Sequence, residues 1–133
     1  MRHGLRVFVI ASSVAVSAST LFAHHGNASF DTSKQVTLKG TVTEWIWANP
    51  HCFLKIDAMD DTGAVRNWAL ETQNPIGMTQ RGWSRKSFNV GDQVTVVLEA
   101  VKNGAPIGRI VTITLANGST LSAGALPNTP PAP

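Results

Sequence analysis

Cys52-Phe53-Leu54-Lys55-Ile56-Asp57-Ala58-Met59-Asp60-Asp61-Thr62-Gly63-Ala64-Val65-Arg66-Asn67-Trp68-Ala69-Leu70-Glu71 contains two alternating runs around one turn. Successive side chains of a strand point to opposite faces. In the first run Cys52, Leu54, Ile56 and Ala58 form the apolar alternate, which leaves Phe53, Lys55 and Asp57 on the other face with His51. Asp60-Asp61-Thr62-Gly63 carries the Asp and Gly chemistry of a hairpin turn. On the return, Trp68 and Leu70 are the more apolar alternate, so Asn67, Ala69 and Glu71 share the face of His51. Counting outward from the turn places Glu71 opposite His51 or one diagonal step away.

Working outward from this hairpin, residues 35–47 alternate and are rich in Val, Thr, Ile and Trp, with Gly40 inside as a bulge or bend. Downstream, Asn74-Pro75 reads as an N-cap followed by proline at the first helical position, and Gly82 closes the short helix. After a turn at Val90-Gly91-Asp92 come residues 93–101, a turn over 103–108, residues 109–115 and a small hairpin at Asn117-Gly118. The order β-β-β-α-β-β predicts a mostly β protein, a small OB-like antiparallel barrel with one short helix, whose bulged first strand serves both halves of the sheet. An open antiparallel sheet with the helix on one face shares the same string. Alternation assigns Leu38, Val42, Leu54, Ile56, Trp68, Leu70, Val94, Val96, Leu98, Val111 and Ile113 to one core.

The start of the chain reads as an export signal. Arg2 and Arg6 are followed by an uncharged, apolar or small stretch over residues 7–22 and by Ala23, a suitable residue before a cut. The stretch is shorter than the roughly 20 apolar residues that span a bilayer comfortably. Cleavage after Ala23 is expected, and cleavage after Ala18 or Ser19 is the alternative, since Leu21 stands where a small residue is preferred. The expected organisation is a signal over 1–23, a leader over 24–35, the barrel over 36–121 and a disordered Pro/Ala/Ser-rich tail over 122–133. The protein is then periplasmic or secreted, with no membrane span after cleavage. Of the 11 Lys and Arg that oppose 8 Asp and Glu, two lie in the signal, so the remainder is nearly neutral. No concentrated basic face for nucleic acid is in view. Cys52 is the single cysteine, which excludes an intramolecular disulfide.

Ala23-His24-His25, residues 36–42 (Val-Thr-Leu-Lys-Gly-Thr-Val), Asn49-Pro50-His51, Trp68-Ala69-Leu70-Glu71, Arg81-Gly82-Trp83-Ser84-Arg85 and Gly91-Asp92-Gln93-Val94 stand together over almost the whole mature chain. In this pattern the sequence resembles a bacterial family of small exported proteins known only as a domain of unknown function. The resemblance implies export and a compact β-rich domain, and it implies no activity or ligand.

Candidate chemistry centres on histidine. A chain cut after Ala23 begins at His24, whose α-amine and ring can chelate one ion; His25, His51 and Glu71 complete a nitrogen-rich set suited to copper or zinc rather than to magnesium or calcium. A carboxylate beside an imidazole orients the ring or ligates directly. The plainer readings are a surface ion pair for His51 and Glu71 and a solvated leader for His24 and His25. Two alternatives need no metal. Trp45 and Trp47 fall on one alternate and offer a stacking strip, unless a bulge at Gly40 turns them into the core. Arg81 and Arg85, with Trp83 and Lys86, suit an anion, or are a solvated helix end. No nucleophile elbow or phosphate-binding glycine loop is present in the sequence, so the reading leans away from an enzyme. Three functions remain: a metal-binding accessory protein, a metal-free module for a saccharide, peptide or partner protein, and a structural envelope component.

Overall fold

The computed structural model describes residues 29–124, which form six strands and one short helix. The strands are β1 (Val36–Ile46), β2 (Phe53–Met59), β3 (Val65–Glu71), β4 (Gln93–Ala100), β5 (Ile107–Leu115) and β6 (Thr120–Ser122); α1 (Pro75–Thr79) lies between β3 and β4. The sheet order is β3-β2-β1-β4-β5-β6, and an additional pairing of β3 with β5 closes the first five strands into a barrel. That pairing is parallel, with Ala69 against Ile107 and Glu71 against Arg109. The barrel is therefore mixed rather than wholly antiparallel. The open-sheet alternative is overturned by this closure, and the OB-like reading holds.

β1 is long enough to serve both halves. Residues 36–41 pair with β4 while residues 40–46 pair with β2, so Gly40 and Thr41 are bonded on both sides. A methyl group on Gly40 would stand 2.6 Å from the Asp57 carbonyl oxygen, which is why the strand narrows to glycine where the two sheets overlap. The bulge itself lies three residues further on. Val42 pairs with Ile56 and Glu44 with Lys55, leaving Thr43 as the extra residue. Beyond it the alternation is reversed, and Trp45 stands opposite buried Leu54.

The barrel interior holds Val42, Cys52, Leu54, Ile56, Trp68, Leu70, Val94, Val96, Leu98, Ile110 and Ile113, with Leu38 packed at its margin. Val111 is a correction. A second bulge makes Leu98 face Ile110 while Val97 faces Thr112, so Val111 is the unpaired residue and Ile110 takes the inward place. The expected helix is present in detail: the Asn74 side chain accepts a hydrogen bond from the Gly77 N–H at 2.8 Å, and Gly82 adopts φ +83° past the helix end. At the hairpin tip, the Thr62 hydroxyl and the backbone N–H groups of Thr62 and Ala64 all donate to the Asp60 carboxylate. Those bonds, the hydroxyl's first, hold the Asp60 carboxyl below the usual carboxylate range.

The fold extends past both expected limits. Residues 122–124, placed in the tail by the sequence reading, belong to it: Ala123 is in the core, and its N–H donates to the Val111 carbonyl. Upstream, Phe30, which the sequence reading places in the leader, is buried and bridges to Val101. Among the described residues no helix is long and apolar enough to cross a membrane.

Candidate functional site

The β2–β3 ladder fixes where the chemistry can occur. Phe53 pairs with Glu71, Leu54 with Leu70 and Ile56 with Trp68, so the alternation read from sequence is the alternation observed. Cys52, just before β2, donates its N–H to the Gln73 carbonyl, and this extension carries His51 to the mouth of the barrel on the outer face. His51 is thus diagonal to Glu71, and its Nδ1 meets Glu71 Oε1. With Nδ1–H directed at the carboxylate, the lone pair of the neutral ring resides on Nε2, the arrangement by which proteins orient a ligating imidazole.

Glu71 also has a strand neighbour on its other side. It pairs across β3–β5 with Arg109, and Arg109 pairs across β5–β4 with Glu99. The Arg109 guanidinium donates to Glu99 Oε2 from both Nε, at 3.1 Å, and Nη2, at 2.5 Å. One row of the outer sheet therefore reads Phe53, Glu71, Arg109, Glu99, in which the Arg109 guanidinium is paired with Glu99. The Glu71 and Glu99 side chains are only 17% and 15% exposed, while that of His51 is 37% exposed. The buried end of the pair is the carboxylate and the accessible end is the imidazole, an order that suits an orienting acid and a ligating ring.

Cys52 does not join this group. It is fully buried in the barrel on the opposite alternate, and burial pushes its thiol up from the ordinary value. Among the described residues no three of His, Cys, Asp and Glu converge as a complete metal set. His24 and His25 lie outside the described residues, so the structure brings together two of the four proposed donors.

The alternative site residues have structural places. The bulge at Thr43 sends Trp45 and Trp47 against the core, where Trp45 contacts Trp47, Trp83 and Phe88 at centroid distances of 5.7, 5.9 and 5.1 Å. Trp45 Nε1 donates to the Ser84 carbonyl at 3.0 Å. Trp83 is 1% exposed and donates its indole N–H to the Ser122 carbonyl at 2.9 Å, and Arg81 Nε donates to the Gly124 carbonyl at 3.2 Å. Trp83 and Arg81 thus occupy acceptors at the end of β6 and just beyond it, where no further strand pairs. Arg85 is exposed.

A family model described as "Family of unknown function (DUF6152)" matches residues 10–110. The chain belongs to this family. The DUF6152 match spans β1 to β4 and the Arg81-Gly82-Trp83 clip, and it ends inside β5 just beyond Arg109. No curated protein and no solved structure matches the chain.

Sequence reading missed Arg109, Glu99 and Phe30. Parallel closure that pairs residues 38 positions apart leaves no local pattern from which Arg109 can be assigned to Glu71. Phe30 did carry a signal: it is a lone aromatic in the polar stretch 27–35.

Proposed function

We propose that this protein is an exported accessory or binding protein, periplasmic or secreted, that takes one copper(II) or zinc ion for carriage, buffering or sensing. The ion is held by the mature terminus, His24 with its α-amine and ring and His25 with its ring, together with the His51 imidazole. Glu71 orients that imidazole or supplies a carboxylate oxygen. The observation that carries the reading is the Glu71 contact at His51 Nδ1, the carboxylate–imidazole arrangement that orients a ligating ring.

The reach of the leader supports it. From His24 to Phe30 is six residue steps, on the order of 20 Å when extended. Phe30 and His51 belong to one side of the sheet: the Arg109 guanidinium is 5.1 Å from the Phe30 ring, Arg109 is the register partner of Glu71, and Glu71 meets His51. Nitrogen and oxygen donors of this kind favour copper(II) and zinc, and the one thiol of the chain is enclosed on the other side of β2. The metal-free module loses support because Trp45, Trp47 and Trp83 are used in packing.

The test is copper(II) titration at neutral pH against a competing chelator, on protein recovered after export whose intact mass establishes a start at His24. One extra residue before His24 should weaken binding sharply without unfolding the barrel. His51→Ala should weaken it separately, and Glu71→Gln by about 10- to 100-fold. If His51→Ala binds as tightly as the native protein, the ion belongs to the terminus alone and the metal-free module takes precedence.

A further inference from the structure

We infer that Glu99 is a positioning residue for the His51 ring: by engaging the Arg109 guanidinium it leaves the Glu71 carboxylate to His51. The inference rests on the metal-binding reading above for its purpose, and on residues of the barrel alone for its geometry. Arg109 stands between two carboxylates. Its register partner on β3 is Glu71 and its register partner on β4 is Glu99, each one strand spacing of about 4.8 Å away. All three side chains belong to the outer face, since Leu70, Leu98 and Ile110 beside them in sequence fill the core. From this middle position the guanidinium turns to β4: Nε at 3.1 Å and Nη2 at 2.5 Å both donate to Glu99 Oε2. The Phe30 ring lies against it, 5.1 Å from ring centre to guanidinium carbon, within cation–π range.

The direction of that turn matters to His51. A hydrogen bond between a guanidinium and a carboxylate has charge on both partners and is roughly twice as strong as one between neutral groups. Turned toward β3, the Arg109 fork would outcompete a neutral imidazole for Glu71, and nothing would then hold the His51 proton on Nδ1. Glu99 prevents this because its own side chain is only 15% exposed. A carboxylate at that depth is costly without a charged partner, so losing Arg109 is unfavourable for Glu99. The result is a division of partners along one row: the guanidinium meets Glu99, and Glu71 meets His51 Nδ1. Glu99 touches neither the imidazole nor its acceptor, and acts on the ring through Arg109.

The experiment reads the ring tautomer directly. Nitrogen-15 correlation spectra of the histidine rings are recorded on the metal-free, isotope-labelled mature chain at mildly alkaline pH, where the neutral ring is observed, and the His51 signals are assigned by their loss in His51→Ala. The native protein should hold the proton on Nδ1. Glu99→Gln, which keeps the shape and removes the charge, should move His51 toward the Nε2–H tautomer, as Arg109 turns to Glu71. Arg109→Gln alone should leave the native tautomer, and Glu99→Gln/Arg109→Gln should restore it, because no guanidinium is left to compete. An Nε2–H ring in the native protein, an unchanged tautomer in Glu99→Gln, or a double variant no closer to native than Glu99→Gln overturns the inference. Copper(II) affinity against a chelator separates this claim from the metal reading. Glu99→Gln should lose no more than the about 10- to 100-fold expected of Glu71→Gln. Identical affinities for native protein and His51→Ala remove the metal reading, while the tautomers still decide the role of Glu99. Circular dichroism and melting check that the barrel survives. Should Glu99→Gln not fold, Glu99→Asp, whose carboxylate is withdrawn by one methylene, takes its place: a shift toward Nε2–H upholds the inference and a native tautomer overturns it.

Discussion

At the scale of single residues, two extra residues determine which side chains fill the barrel. Thr43 in β1 and Val111 in β5 are each unpaired, and each reverses the alternation downstream of itself. A strict period of two therefore assigns the hairpin 52–71 correctly and fails for Val111, Trp45 and Trp47. Nothing in Thr-Val-Thr-Glu or Ile-Val-Thr-Ile marks which residue is set aside, because a bulge is chosen by the partner strand and by barrel curvature. The consequence is measurable by urea unfolding. Ile110→Ala should cost about 2–5 kcal/mol, as a buried Ile truncation does, and Val111→Ala, at a half-exposed position, should cost much less. Equal losses for the two variants contradict the bulge. His51 and Glu71 were legible for the opposite reason: their spacing depends on a short hairpin whose turn fixes the register.

Among the elements, β6 depends most on side chains from elsewhere. It has three residues, it pairs with β5 alone, its Ser122 carbonyl is met by the Trp83 indole, and the Gly124 carbonyl just beyond it is met by the Arg81 guanidinium. In the sequence, Arg81, Arg85 and Lys86 around Trp83 suit an anion site or a solvated helix end equally, and neither use calls for a clasp on another strand. Only the tertiary position of the last strand reveals the clasp, and that position is non-local. Trp83→Phe keeps an aromatic ring but removes the donor to Ser122, a loss of about 1 kcal/mol before any packing change. Amide exchange at Leu121 and Ala123 should then accelerate more than exchange in β1 to β4. Uniform acceleration across the sheet would show that Trp83 acts as core filler and not as a clasp on β6.

For the whole molecule, the barrel brings together parts of the chain that share no sequence neighbourhood: the leader at Phe30, the β2–β3 hairpin at His51 and Glu71, and the β4–β5 pair at Glu99 and Arg109. The order of elements was readable because each turn and cap has its own local chemistry. The outer-face row was not, since it depends on barrel closure through a parallel contact. That row makes the central claim spatial: an ion carried by the terminus must sit beside His51. Substoichiometric copper(II), added to isotope-labelled mature protein, broadens the nuclear magnetic resonance signals of nearby groups. The account predicts early loss of the His51 ring, Glu71 and Arg109 signals, with the hairpin tip at Thr62 and Gly63 unaffected. Broadening confined to residues 24–28, with His51 and Glu71 unchanged, would contradict it.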